Sequence, residues 1–187
     1  MIELLKNIDI RLFLFFNGNH TPFMDSVMGI AGNKFTWIPL YLLLLFFVWR
    51  KARTNLWLVV LSVAILITLS DQISVHLFKD VFQRYRPCHN LFLQDKIHLI
   101  NGECGGLYGF VSSHAANTFA LITFLSLFFR NKYFVLCMYL WASFVSYSRV
   151  YAGVHYPFDI VGGMVLGIML GLISYKVYLH FNKKYAH

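Results

Sequence analysis

Lys79, Arg86, Ser112, His114, Arg149, His155 and Asp159 fall in three short blocks of an otherwise apolar chain. The first block runs from Lys79 to Pro87, the second is Val111-Ser112-Ser113-His114, and the third runs from Ser148 to Asp159. Lys79, Arg86 and Arg149 are three cations suited to one dianionic group, and a guanidinium fork matches phosphate oxygens. Ser112 stands where an N-cap precedes an apolar helix, so the N–H groups of Ser113 and His114 would head an anion site. His114 and His155 supply a nucleophile or base and an acid. Asp159, four residues after His155, can hold one imidazole nitrogen and leave the other free to attack. These residue types predict phosphoryl transfer to histidine, stabilised by positive charge rather than by a metal. Singly, each has an ordinary explanation: snorkelling for Lys79 or Arg149, capping for Ser112, the helix dipole for Asp159. Only their combination points to chemistry.

The elements that must position these residues are hydrophobic helices. The chain has 187 residues, 58% hydrophobic and 13% charged, against about 45–50% and about 25% in an ordinary soluble domain. Such a composition excludes a disordered chain and makes lipid the main solvent. The length suits a single domain over 1–187. Uncharged runs mark about five spans: Phe35 to Trp49, Leu56 to Leu69 continuing to Lys79, Ser113 to Phe129, Phe134 to Ser148, and Ile160 to Leu179. The strict alternation of a barrel is absent, so the expected fold is all-α, a polytopic transmembrane helix bundle with its core at 34–181. In the N-terminal segment, 1–33, Ile2, Leu5, Ile8, Leu12 and Phe15/Phe16 recur at helical spacing between Lys6, Asp9 and Arg11. This pattern predicts amphipathic helices lying in the interface. Leu12 to Phe16 is too short for a signal-peptide core.

Loop charges orient the bundle. Arg50, Lys51 and Arg53, then Arg130 and Lys132, then Lys183 and Lys184 all fall on one side of five spans. The positive-inside bias makes that side cytoplasmic and puts the three blocks on the opposite face. The formal net charge of +8 thus divides between topology and an outer cationic cluster, and nucleic acid is not an expected partner.

The blocks closely resemble the signature of the type 2 phosphatidate phosphatase superfamily, K-x6-R-P, P-S-G-H and S-R-x5-H-x3-D. Lys79, Arg86 and Pro87 match the first element; Ser148, Arg149, His155 and Asp159 match the third. The middle element departs, with Val111 for proline and Ser113 for glycine. The resemblance implies that His155 forms a phosphohistidine oriented by Asp159 and that His114 protonates the leaving oxygen. It also implies that Lys79, Arg86, Ser112 and Arg149, aided by the N–H of Ser113, hold the phosphoryl group. Serine at 113 keeps that N–H but adds a side chain beside the phosphate. The implied activity is hydrolysis of a lipid phosphate, without a cofactor, on the periplasmic face of a bacterial inner membrane. Undecaprenyl diphosphate and lipid A phosphate are the favoured substrates, with phosphatidylglycerol phosphate and phosphatidate as alternatives. An anion transporter or channel is the competing class, but the charges cluster at one face instead of lining a path across the bilayer.

Other residues fall near these blocks. His76 is three residues before Lys79, which predicts a supporting position on the same helix face, and Asp71 lies two turns deeper. Tyr151, Arg84 and Tyr85 are candidates for headgroup contact. Cys88 and Cys104 share the outer loop, where an oxidising compartment permits a disulfide. The eight histidines show no metal-binding spacing, so no metal site is expected. Gly163, Gly167 and Gly171 form a small-residue stripe that predicts close helix packing.

Overall fold

The computed structural model describes the backbone of residues 2–184 and the side chains of 3–183. Ile2 of the amphipathic pattern and Lys184 of the basic tail lie outside the described side chains. Helix α1 (Ile2–Gly18) is followed by α2 (Pro22–Gly32), which starts where the Thr21 hydroxyl accepts the Met24 N–H and Pro22 fixes the first turn. A 3₁₀ turn, Lys34–Trp37, leads into α3 (Ile38–Ala52). Helix α4 (Leu56–Ile73) continues through a π-helical segment, Ser74–Lys79, into the short α5 (Asp80–Phe82). After an irregular outer loop come α6 (Ser113–Phe129), α7 (Lys132–Tyr151) and α8 (Pro157–Lys184).

Helix α6 is the axis of the bundle. Ala115, Ala116, Phe119, Ala120, Ile122, Phe124 and Leu125 are all buried on it. Helix α8 packs along it through Gly163, Gly167 and Gly171, where an added Cβ would run into the carbonyl oxygens of Ser112, Ala116 and Ala120. Small residues let two backbones approach this closely, which is how helices associate where lipid removes the hydrophobic drive. The outward faces carry exposed Leu42, Leu43, Phe46, Leu61, Ile65, Leu140, Val165 and Ile173. Two helical stretches, Lys34–Phe82 and Pro157–Lys183, are long and apolar enough to cross a membrane.

The outer loop is held at both ends. Arg84 and Arg86 pair with Leu107 and Gly109 by backbone hydrogen bonds flanking a Tyr85–Tyr108 bridge, and Cys88 is disulfide-bonded to Cys104. Helix α1 closes over this loop with one face. Asp9, Phe13 and Asn17, at i, i+4 and i+8, are completely buried. Asn17 donates to the carbonyls of His98 and Tyr151 and accepts the His98 N–H. Leu5, Ile8, Leu12 and Phe15 form a separate, exposed apolar face, as an amphipathic helix requires.

Candidate active site

The third block turns sharply between α7 and α8. Gly153, at φ +78°, lets the chain reverse in the left-handed region. The Arg149 carbonyl then accepts the His155 N–H at 3.3 Å, which sets the histidine directly beside the end of α7. Asp159 occupies the first turn of α8. Its Oδ2 accepts the Tyr156 N–H at 3.0 Å and lies 3.4 Å from His155 Nδ1. One carboxylate thus caps a helix in the manner of a capping box and faces the imidazole. Its backbone carbonyl also accepts the Ser112 N–H at 3.0 Å, tying the second block to the third.

On its other nitrogen, His155 Nε2 is 3.2 Å from Arg86 Nη1, which also donates to the Val154 carbonyl. His155 is 2% exposed and Asp159 is fully buried. Burial pushes the His155 pKa down to about 4; Asp159 opposes that shift, and Arg86 and Arg149 add to it. The imidazole is therefore neutral at pH 7, with Nδ1 facing the Asp159 carboxylate and Nε2 facing the Arg86 guanidinium. A neutral imidazole of this kind is able to attack phosphorus. Gly109 packs against the pair: a Cβ there would stand 2.9 Å from Asp159 Oδ2 and 3.5 Å from His155 Nδ1.

Ser112 caps α6 and is buried, leaving the N–H groups of Ser113 and His114 at the helix head. The Ser113 hydroxyl is 2.6 Å from both Lys79 Nζ and Ser74 Oγ. A π-turn, with its i to i+5 repeat, brings Ser74 and Lys79 onto the same side, so both reach Ser113. Arg149 Nη1 lies against the Gly32 carbonyl at the end of α2. The side-chain Nε atoms of Arg86 and Arg149 are buried without a hydrogen-bond partner. Buried cationic donors left unpaired are costly unless an anion joins them.

Two cavities meet at this cluster. A groove of about 700 Å³ lies between α3, α4 and α6, walled by Leu44, Val48, Val59, Val63, Leu121 and Leu125, and reaches Ser113 and His114. A second cavity, of about 850 Å³, lies between α2 and the outer loop and is lined by Asn33, Thr36, Asn101, Glu103 and Arg149. His114 and Lys34 line both.

Some expected supporting residues stand elsewhere. His76 is exposed and bonds Asp80 and Gln72 on its own helix. The π-turn breaks the α-helical phase that would have put it beside Lys79. Tyr151 is buried, and its hydroxyl donates to Asp25 Oδ1 at 2.8 Å and accepts the Thr21 N–H. Asp71 faces the groove and accepts a long, 3.5 Å bond from Asn117. Cys88, His89 and Cys104 bring potential ligand atoms within 4.8 Å of one another; the disulfide engages both sulfurs, and His89 Nε2 bonds the Gly105 carbonyl.

Sequence reasoning missed an ionic chain. Arg84 donates through Nη1 to Asp159 Oδ1 at 2.9 Å and through Nη2 to Asp9 Oδ2 at 2.7 Å, with its guanidinium over the Tyr156 ring. Asp9 Oδ1 accepts the Phe158 N–H at 2.9 Å. The only sequence signal was Asp9 sharing a helix face with Phe13 and Asn17, away from the leucine stripe. Gly109 left none.

The chain is similar to several known proteins. A lipid A 4'-phosphatase of Bacteroides thetaiotaomicron is 39% identical over 183 residues, covering 95% of this chain and 80% of its own. An undecaprenyl-diphosphatase of Sulfolobus acidocaldarius is 28% identical, with 90% of this chain and 78% of its own covered. The crystal structure of Aquifex aeolicus LpxE superposes with a TM-score of 0.64 at 25% identity, over 89% of this chain and 94% of that one. The sequence model of the PAP2 superfamily matches residues 55–183, the span that holds all three motif blocks, and the chain belongs to that superfamily.

Proposed function

We propose that this protein is an integral membrane phosphatase that removes phosphate from a lipid headgroup through a phosphohistidine, without a metal, at the periplasmic face of the inner membrane. One observation carries the reading: His155 is buried between the Asp159 carboxylate and the Arg86 guanidinium. In the first step Nε2 attacks phosphorus, the bond from phosphorus to the lipid oxygen breaks, and His114 gives that oxygen its proton. Asp159 stabilises the resulting cationic ring. In the second step water attacks the phosphohistidine, His114 takes the water proton, and the N–P electron pair returns to Nε2 as phosphate leaves. Lys79, Arg86, Arg149 and the N–H groups heading α6 hold the equatorial oxygens, where positive charge contributes most.

A lipid A-type phosphate is the favoured substrate. The apolar groove suits acyl chains, and the polar cavity beside Arg149 suits a large hydroxylated headgroup. The Bacteroides relative carries the corresponding name. Undecaprenyl diphosphate, the substrate named in the Sulfolobus relative, has no such headgroup to fill the second cavity.

The test is phosphate release in detergent with a chelator present, comparing kcat/KM for lipid A, undecaprenyl diphosphate, phosphatidylglycerol phosphate and phosphatidate. Lipid A is expected to lead. His155→Ala is expected to abolish turnover, and His114→Ala to lower it about 10²- to 10⁴-fold, the usual contribution of a general acid–base group. Wild-type rates in His155→Ala would remove the mechanism.

A further inference from the structure

Asp9 belongs to α1, well before residue 55, where the superfamily match begins. It is nevertheless completely buried beside the first turn of α8. A carboxylate is not buried in this way unless its partners are fixed, and both of its oxygens are engaged. Oδ1 takes the Phe158 N–H, one residue before Asp159, and Oδ2 takes Arg84. Arg84 spends its other terminal nitrogen on Asp159 Oδ1, leaving Asp159 Oδ2 for the Tyr156 N–H and the face of His155.

We infer that Asp9 is a positioning residue for the phosphatase reaction, acting through Arg84 to fix the Asp159 carboxylate that orients His155. The inference rests on His155 being the nucleophile. Without Asp9, a guanidinium bonded to Asp159 alone is free to swing toward both carboxylate oxygens and neutralise the charge that the imidazole needs as it becomes cationic. With Asp9, the guanidinium is shared between two carboxylates and anchored from the side away from the ring. The same bonds link α1 to the histidine through the charge of Asp9. That helix carries exposed Leu5, Ile8, Leu12 and Phe15 on another face.

Asp9→Asn tests this, because asparagine keeps an oxygen for the Phe158 N–H and loses the charge facing Arg84. With lipid A in mixed micelles, kcat is expected to fall about 10- to 100-fold, the range usual for groups that orient a histidine from behind its direct partner. KM should stay within about threefold, since binding is unaffected. The acid limb of the kcat profile should also move. Phe13→Ala is the control for helix seating: it loosens the same face of α1 without touching Arg84, and is expected to lower Tm while leaving kcat within about threefold. Asp9→Asn combined with Arg84→Lys should be no worse than the poorer single variant, as for residues acting in one chain. Wild-type kcat in Asp9→Asn, or an equal kcat loss in Phe13→Ala, overturns the inference. Absence of turnover by the wild type, or full turnover by His155→Ala, instead defeats the reading of the site on which it rests.

Discussion

Two regions hold the histidine site, and they do so by opposite means. The α6–α8 seam works by steric fit: three glycines, each one turn from the next, place the α8 backbone against the carbonyls of Ser112, Ala116 and Ala120. The clamp formed by α1 and the outer loop works by polar bonds between distant residues, among them Asp9–Arg84, Arg84–Asp159 and Asn17–His98, with a disulfide alongside. The seam sets the distance between the second and third blocks. The clamp sets the direction of Asp159 and Arg86. A seam tolerates no added mass, whereas a clamp tolerates small changes in shape but no loss of a partner.

The largest expected effect comes from overfilling the seam. Gly167→Leu places a side chain where α8 meets the backbone of Ala116 and Ala120, and the two helices cannot stay in register. Overpacking usually costs about 1–3 kcal/mol where side chains can yield; here the obstacle is backbone, so loss of folded, active protein is expected. Size-exclusion profiles in detergent and phosphate release check it. Near wild-type Tm and activity would show that the seam is looser than its geometry.

Gly109→Ala separates the two regions more finely. The new methyl would lie 2.9 Å from Asp159 Oδ2 and 3.2 Å from Arg86 Cγ, so it pushes on both arms of His155 while leaving the seam untouched. A displacement near 1 Å at reacting groups costs on the order of 10²-fold in rate. The expectation is a fall in kcat of that size with Tm lowered only a few degrees. An unchanged kcat would mean that the His155–Asp159 geometry is set by the seam alone.

The two regions also differed in how far the sequence revealed them. The stripe at Gly163, Gly167 and Gly171 is local and periodic, so close packing was legible, as were the motif blocks with their spacing. The expected span starting at Ser113 coincides with the start of α6, because Ser112 is a good N-cap ahead of an apolar run. The Cys88–Cys104 disulfide was legible, but the polar bonds of the clamp were not, because they join residues 75 or more apart, such as Asp9 with Arg84 and Asn17 with Tyr151. Charge on an amphipathic helix ordinarily means a solvated face, and sharing a face with Phe13 and Asn17 did not by itself mark Asp9 as buried. His76 went astray for a different reason. Its placement assumed an unbroken α-helical phase, and the π-turn at Ser74–Lys79 carries no signature in residue type.

The smallest expected effect lies where the two regions meet, in the proton affinity of His155. The seam buries the ring, and the clamp fixes Asp159 on one side of it and Arg86 on the other. Burial holds its pKa at about 4, against 6.5 in an unfolded chain. Below 6.5 the unfolded chain takes up a proton there that the folded protein does not bind until about pH 4. Unfolding is therefore favoured progressively as pH falls through that window, and the contribution of His155 to stability is complete only above it. Burial also pushes the Asp9 carboxyl up, and Asp159 and the arginines surround the ring. A single unfolding curve therefore mixes several groups. His155→Gln removes only the imidazole, so the difference between the two proteins isolates it. Between pH 7.5 and 4.5 the wild-type Tm should fall further than that of the variant, by a few degrees. Parallel slopes would mean that the ring is already protonated near 6.5, and that seam and clamp do not close over it as tightly as its 2% exposure requires.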